Sequence, residues 1–373
     1  MNESIKPIQK ILFGSPGTGK SYQIRQIAIE QLGIEVDPDS QLLKNTVKTV
    51  FHPEYTYADF MGKLLPLTQG NSIIYKFYPG HFLQILGMAY KGLIDGNNQH
   101  YLLVIDELNR GNAAAIFGTV FQLLDREIDR WSTYEVNISE MEFVGLLNSM
   151  AYKPAVQIDG NIQIDGNRLD RFLDTLKADL DRDQSKSVVG LEDKLKTLNL
   201  LKQSKISIPN NLSILATINT SDESIYYLDS AFKRRWDWEY VDSPRIETLV
   251  PENIQDVKLI LENNEELEWY KCVIGLNEWI KSEHQTIRRI EDKQIGWWFI
   301  RPENKKISLQ KVKDKLMFYL WDSVFARDKR PLEQILSKAT KNNVNLTTYT
   351  DFVENTEIFI SYLKDYYTTV SPL

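Results

Sequence analysis

The sequence predicts an α/β protein with a parallel-sheet core, hairpin insertions and a helical C-terminal region. Three stretches carry this prediction. Residues 11–24 read as a short apolar strand, a glycine-rich turn and the start of a helix, and residues 102–105 form an apolar run typical of a buried parallel strand. Residues 309–324 space their apolar side chains as a helix does. We therefore expect a sheet domain over residues 1–250, with an insertion at about 128–205, and a helical region over 251–373.

Composition narrows the class of protein. The chain has 373 residues, of which 42% are hydrophobic and 25% charged, and a formal net charge of −7. These values are ordinary for a folded protein and argue against disorder. The single Cys272 excludes an intramolecular disulfide, and no apolar run approaches the roughly 18 residues of a membrane span. We expect a cytoplasmic protein without membrane contact, whose DNA contacts are local or made through a partner.

The glycine-rich turn after the first strand matches the phosphate-binding pattern G-x-x-x-x-G-K-[ST]. In the helix that follows it, the apolar residues Ile24, Ile27, Ala28 and Ile29 are predicted to share one face. The glycines of the turn allow backbone N–H groups to surround phosphate oxygens, while Lys20 reaches the β and γ phosphates and Ser21 ligates Mg²⁺. A fortuitous glycine-rich turn is the alternative, and the second motif below argues against it. The predicted nucleotide-binding residues of the turn are Gly14, Ser15, Pro16, Gly17, Thr18, Gly19, Lys20 and Ser21.

Two acids end the apolar strand at residues 102–105. Ligands of an open α/β sheet bind where its strands end, so Asp106 is predicted to hold Mg²⁺ and Glu107 to polarise the attacking water. Taken alone, such a pair is as often a solvated turn. The phosphate-binding pattern upstream favours the functional interpretation.

Two further stretches carry candidate catalytic residues. The strand at 212–220 ends in Asn219, whose amide could orient the water or could simply form a turn. A short helix then ends in Lys233, Arg234 and Arg235. Basic residues at a helix C-terminus are favoured by the helix dipole in any case. Following the other motifs, Arg234 and Arg235 are predicted to be arginine fingers, which stabilise charge on the transferring phosphoryl group.

In this order the motifs resemble the AAA+ ATPases, and within them the McrB branch of GTP-hydrolysing restriction motors. The resemblance rests on GSPGTGKS, LLVIDELNRGN and ATINTSDESIYYLDSAFKRRW, and on FHPEYTYADFMG (51–62), YKFYPGHFLQIL (75–86) and IGWWFI (295–300), so it covers about residues 8–325. It implies an AAA+ P-loop NTPase fold with a helical lid, and it places Asn109 and Asp222 among the catalytic residues. Glu223 departs from the family pattern, which has Arg there. The MoxR-type remodelling ATPases are the alternative within the same fold.

The resemblance also implies the cofactor and the partners. Mg²⁺ is the expected cofactor, and GTP or alternatively ATP is the expected substrate, since phosphate-binding residues do not choose the base. A homo-oligomeric ring, taken as a hexamer, would work with a McrC-like nuclease-bearing subunit and would reach DNA through that complex. Only a few residues precede the first strand, so a DNA-reading N-terminal domain is not expected in this chain. A nucleotide-gated assembly scaffold is the competing class.

The remaining elements are predicted more coarsely. We expect a second strand and a helix from about Pro79. Between them we expect a hairpin around Gln69-Gly70-Asn71, which either lines a ring pore or lies on the surface. Within the insertion, Val156 and Ile158 should face Ile162 and Ile164 across a turn. A helical stripe follows that packs internally or docks a partner, and it comprises Leu169, Phe172, Leu173, Leu176 and Leu180. Trp297 and Trp298 are expected in the core, and the basic stretch 281–315 is expected to be solvated surface or, alternatively, a DNA contact.

Overall fold

Two compact units make up the chain. The computed structural model describes residues 5–70, 72–157, 159–182, 188–219, 226–245 and 250–370. One unit comprises Met1–Leu12, Ser21–Ile218 and Ser224–Glu239, and the other comprises Phe13–Lys20, Asn219–Glu223 and Tyr240–Leu373. The predicted domain boundary near residue 250 stays a prediction.

The elements up to residue 240 include both strands and helices, and helices lie between the successive strands of the main sheet. They are β1 (Gln9–Gly14), α1 (Lys20–Gln26), β2 (Thr46–Val50), α2 (Tyr57–Met61), β3 (Gly62–Gln69), β4 (Ser72–Pro79), α3 (His81–Asp95), β5 (Tyr101–Asp106), α4 (Ala113–Phe117), β6 (Val136–Asn137), α5 (Glu140–Ser149), β7 (Pro154–Val156), β8 (Ile162–Ile164), β9 (Asn167–Arg168), α6 (Leu169–Arg182), α7 (Val188–Lys202), β10 (Lys205–Ile206), β11 (Leu212–Asn219), α8 (Ser230–Lys233) and β12 (Asp237–Tyr240).

Five of these strands form one parallel sheet, in the order β12-β1-β11-β5-β2. Strand β11 pairs in parallel with β5, with Ala216 opposite Ile105, and β5 pairs in parallel with β2, with Val50 opposite Asp106. The central strands are buried on both faces, which explains their continuous apolar sequence. Because parallel strands end at the same edge, the C-terminal ends of β2, β5 and β11 lie on one side of the sheet. The predicted α/β fold is confirmed.

Helices dominate after residue 250. They and the short strands between them are α9 (Glu252–Gln255), β13 (Lys258–Ile260), β14 (Glu266–Glu268), α10 (Trp269–Ser282), α11 (Ile290–Lys293), β15 (Lys306–Ser308), α12 (Leu309–Lys311), α13 (Arg330–Thr340), α14 (Tyr349–Glu354) and α15 (Thr356–Val370). The helix that begins as α12 continues in π-helical turns over Val312–Met317 and Leu320–Val324. Its predicted apolar stripe is buried, at Leu309, Val312, Leu316, Leu320 and Val324.

The smaller predicted features are mostly present. Strands β3 and β4 form the expected hairpin, although Asn71 lies outside the described residues. In the insertion, Val156 pairs with Ile162, whereas Ile158 is outside the described residues. Within the described parts of the chain, no helix combines the length and apolarity that crossing a bilayer requires.

One helix start is shifted slightly, and one local prediction was wrong. The helix expected near Pro79 begins two residues later, at His81, because β4 runs on to Pro79, which pairs with Gly62 of β3. The side chain of Ile29, expected on the apolar face of the first helix, is 40% exposed. After Gln26 that helix widens into a π turn, whose longer repeat rotates Ile29 away from the buried Ile24 and Ala28.

Candidate functional site

The predicted phosphate loop joins β1 to α1 and has the backbone that its glycines permit. Gly17 and Gly19 have φ angles of 76° and 93°, in the left-handed region that side chains with a Cβ avoid. Thr18 is buried and donates its hydroxyl to the carbonyl of Ser15 at 3.0 Å. Helix α1 begins at Lys20, directly after the last glycine. The loop is therefore a tight backbone turn with small side chains.

Lys20 is held inside this turn. Its side chain is buried, and Nζ donates to the carbonyls of Gly14 and Ser15, each at 2.9 Å. An ammonium is strongly hydrated in water, so a buried one needs such oxygen partners. The loop thus places a positive charge at the centre of its own backbone. Ser21, the predicted metal ligand, is exposed on the first turn of α1.

The acidic end of β5 is fixed by a residue from each neighbouring strand. Lys48 of β2 places Nζ 2.7 Å from Asp106 Oδ2. On the other side, Thr217 of β11 donates its hydroxyl to Asp106 Oδ1 at 3.1 Å, and the same hydroxyl accepts the Glu107 N–H at 3.2 Å. Thr217 is buried, so the two acids share one rigid anchor.

Glu107 has a left-handed backbone, with a φ angle of 56° and a ψ angle of 45°. For a residue with a side chain this conformation costs about 1–3 kcal/mol and persists only where the surroundings enforce it. The Thr217 bond enforces it from one side, and the Arg110 N–H, which donates to the Glu107 carbonyl at 2.9 Å, enforces it from the other. This conformation turns the chain out of the strand direction at Glu107.

The three polar candidates Asn109, Asn219 and Asp222 differ in placement. Asn109 is 3% exposed, and its carbonyl accepts the N–H of Tyr226 at 2.8 Å. Asn219 is the last residue of β11 and is half-buried. Asp222 lies outside the described residues.

The structure distinguishes the two candidate arginine fingers. The side chain of Arg235 is 9% exposed and forms an ion pair with Asp125, with Nη2 2.7 Å from Oδ2. Its guanidinium also lies 4.2 Å from the ring centre of Phe121. Arg234, at the C-terminus of α8, is exposed. The sequence gives both residues the same pattern, but Arg235 is committed to internal contacts while Arg234 faces solvent.

Sequence reasoning missed Lys48 and Thr217. Both lie in strands that were predicted, and Thr217 is a polar residue in the otherwise apolar run Leu215–Ile218. That polar residue indicated a contact with a neighbouring element, because a buried hydroxyl needs a hydrogen-bond partner. The partner could be named only once the register had paired β11 with β5.

Comparison with known proteins points to restriction systems. No protein-family model matches the chain. The type II restriction enzyme BsuMI component YdiS of Bacillus subtilis (strain 168) is 26% identical over 374 residues, covering 93% of this chain and 85% of that protein. The type IV methyl-directed restriction enzyme EcoKMcrB subunit of Escherichia coli (strain K12) is 28% identical over 151 residues, covering 37% of this chain and 30% of that subunit.

Solved structures give weaker similarity. A Cytophaga hutchinsonii structure described as an ATPase has a TM-score of 0.25 at 12% identity, covering 93% of this chain and 75% of its own. The C. elegans PCH-2 structure has a TM-score of 0.20 at 10% identity, covering 95% of this chain and 61% of its own. The sequence relatives, the parallel sheet and the motifs support a McrB-like AAA+ protein with a P-loop NTPase fold.

Proposed function

We propose that this chain is the nucleoside-triphosphate-hydrolysing motor subunit of a McrBC-like restriction or anti-phage defence complex, with GTP as its preferred nucleotide. One observation carries the enzymatic part. The carboxyl pair Asp106 and Glu107 is anchored by Thr217 at the end of β5, in a sheet whose strand β1 leads directly into a glycine-rich phosphate loop. Similarity to two restriction-system proteins supports the biological role. Preference for GTP rests on the McrB resemblance.

The phosphate loop would bind the nucleotide by its backbone. The positive φ angles of Gly17 and Gly19 allow the tight turn in which backbone N–H groups can surround a phosphate oxygen. Lys20 Nζ, now bonded to two loop carbonyls, would exchange one of them for a phosphate oxygen of higher negative charge. Ser15 and Thr18 would contribute their backbone N–H groups, whereas Pro16, which has no N–H, would fix the shape of the turn.

Ser21 and Asp106 would hold the magnesium ion. A hydroxyl and a carboxylate are oxygen ligands of the kind Mg²⁺ prefers. The position of Lys48 Nζ, 2.7 Å from Asp106 Oδ2, supports a cation at this oxygen. When bound, Mg²⁺ neutralises charge on the phosphates.

Glu107 is the proposed general base. Its carboxylate would accept a proton from the attacking water as the new bond to phosphorus forms. The fixed left-handed backbone would hold that carboxylate in one orientation, which matters because small misplacements cost rate. We propose that Asn219 orients the water, and that Asn109 and Asp222 assist as the family resemblance implies.

Arg234 is the proposed finger that a neighbouring subunit supplies. It is exposed at the end of α8, whereas Arg235 is paired with Asp125 and would act by holding the end of that helix in place. An arginine finger supplied by a neighbouring subunit requires an oligomer, so we propose a homo-oligomeric ring. The McrB resemblance implies that this ring is a hexamer. The ring would work with a nuclease-bearing McrC-like subunit and would reach DNA through that complex.

The test measures phosphate release from GTP and from ATP, by wild type and by Glu107→Gln, with and without the product of the neighbouring gene. GTP turnover that rises with the partner and is lost in the variant is the expected result. ATP turnover indifferent to the partner would instead indicate a MoxR-like remodeller. Nucleotide binding without turnover in any mixture would indicate an assembly scaffold.

A further inference from the structure

The segment Ile-Gly-Trp-Trp at residues 295–298, called the brace below, contacts the phosphate loop within one compact unit of the chain. Gly296 donates its N–H to the carbonyl of Pro16 at 2.9 Å, and Trp298 donates its N–H to the carbonyl of Gly17 at 3.0 Å. Two successive loop carbonyls are therefore bonded to alternate residues of the brace.

The other two residues of the brace are tied to α10. Asn277, which is fully buried, accepts the N–H of Ile295 and donates to its carbonyl, both at 2.9 Å. The indole of Trp269, also fully buried, donates to the carbonyl of Trp297 at 3.0 Å. Residues 295 and 297 thus bond to the helix, while 296 and 298 bond to the loop.

The contact between brace and loop is tight enough to require glycine on both sides. A Cβ added to Gly296 would lie 2.1 Å from the Gly17 carbonyl and from the Thr18 nitrogen. A Cβ added to Gly19 would lie 2.6 Å from the indole ring of Trp298. Neither distance is compatible with non-bonded atoms, so the Gly296 backbone packs directly on the loop backbone and the Trp298 ring packs directly on Gly19.

Peptide geometry gives this contact a functional consequence. In a trans peptide the C=O and N–H of one unit point in opposite directions. Because the carbonyls of Pro16 and Gly17 point to the brace, the N–H groups of Gly17 and Thr18 point away from it. Amide groups of such a turn are the donors that bind phosphate.

We propose that the brace is a positioning element, which fixes the phosphate-binding amides of the loop and couples the loop to α10. This inference rests on the proposed nucleotide-binding function. It predicts that nucleotide affinity depends on Gly296, although no atom of that residue needs to touch the nucleotide. It also predicts that the Trp298 ring, packed on Gly19, responds when the loop is occupied.

The test compares Gly296→Ala with a control, Gly87→Ala. A Cβ on Gly87 of α3 would lie 2.4 Å from the Cβ of Ser149, and both residues belong to the compact unit that does not contain the brace. Binding of mant-GTP and mant-ATP with Mg²⁺ is measured by fluorescence titration, and thermal unfolding is recorded for each variant. We expect at least a tenfold loss of affinity in Gly296→Ala and wild-type affinity in Gly87→Ala.

A milder variant, Trp298→Phe, covers the case in which Gly296→Ala does not fold. Wild-type tryptophan emission should change on addition of unlabelled GTP and Mg²⁺, and most of that change should vanish in Trp298→Phe. Three results would each overturn the proposal for the brace. They are equal nucleotide affinity in Gly296→Ala and wild type, equal losses of affinity in both glycine variants, and an unchanged emission response in Trp298→Phe. Absence of nucleotide binding by the wild type would overturn the proposed function itself.

Discussion

Thr217→Val tests whether the two acids of the site depend on a single hydroxyl. Valine keeps the volume, the β-branching and the strand preference of threonine, so the change removes the hydroxyl while disturbing packing little. In the folded chain that hydroxyl donates to Asp106 Oδ1 and accepts from the Glu107 N–H. Both acids therefore lose an anchor at once.

The size of the effect follows from these two bonds. Thr217 is 4% exposed, so water does not readily replace the lost hydroxyl. A hydrogen bond to a charged acceptor contributes about 1.5–3 kcal/mol, and an amide left without its partner costs about 1–3 kcal/mol. Since Asp106 keeps Lys48 and is partly exposed, we expect a loss of about 2–4 kcal/mol in the free energy of unfolding. Displacement of Glu107 by about 1 Å would lower kcat about 100-fold.

The assay measures kcat and KM for GTP, together with urea unfolding. The expected outcome is a large fall in kcat with a smaller change in KM, because the phosphate loop is not touched. Thr217→Ser is the control, since it keeps the hydroxyl and should retain most of the wild-type turnover. Wild-type kcat in a folded Thr217→Val protein would refute the role given to this residue.

Three further predictions follow from the same structure. Lys48→Met should lower the Mg²⁺ concentration for half-maximal GTP turnover severalfold, because an ammonium 2.7 Å from Asp106 Oδ2 competes with the metal. A higher Mg²⁺ requirement in the variant would contradict this competition. Arg235→Ala should lower the free energy of unfolding by about 1–3 kcal/mol, because one partner of a largely buried ion pair is removed. Arg234→Ala should unfold like wild type but lose turnover, and Lys233→Ala is the exposed control. Burial raises the pKa of Cys272 from its ordinary value of 9.0 to about 12, so the folded chain retains a thiol proton that the unfolded chain loses above pH 9. Between these two pKa values, the Cys272 thiol should therefore lower the free energy of unfolding by about 1.4 kcal/mol per pH unit. A Cys272→Ala variant with the same pH dependence of stability would exclude this contribution.

Local sequence patterns predicted the central strands and the helix that follows the phosphate loop. The apolar run before Asp106 and Glu107 predicted a buried parallel strand, and the glycines at 14, 17 and 19 predicted a tight loop before a helix. Differences from the prediction arose where a neighbour changed the local geometry. The hairpin extended β4 past the expected start of α3, and the π turn after Gln26 moved Ile29 off the buried face.

The sequence by itself determined which chemistry is present: a phosphate loop with Lys20, paired carboxylates after a strand, and two arginines after a short helix. Those features depend on residues adjacent in the chain, whose spacing alone restricts their conformation. Only the tertiary structure decided which distant residues support them. Thr217 and Lys48 meet Asp106 because strand order and register bring β11 and β2 beside β5, and Arg235 differs from Arg234 because only Arg235 reaches Asp125. Contacts between residues about 60 to 280 positions apart, such as the brace on the phosphate loop, are set by packing of the whole chain, which no local pattern encodes.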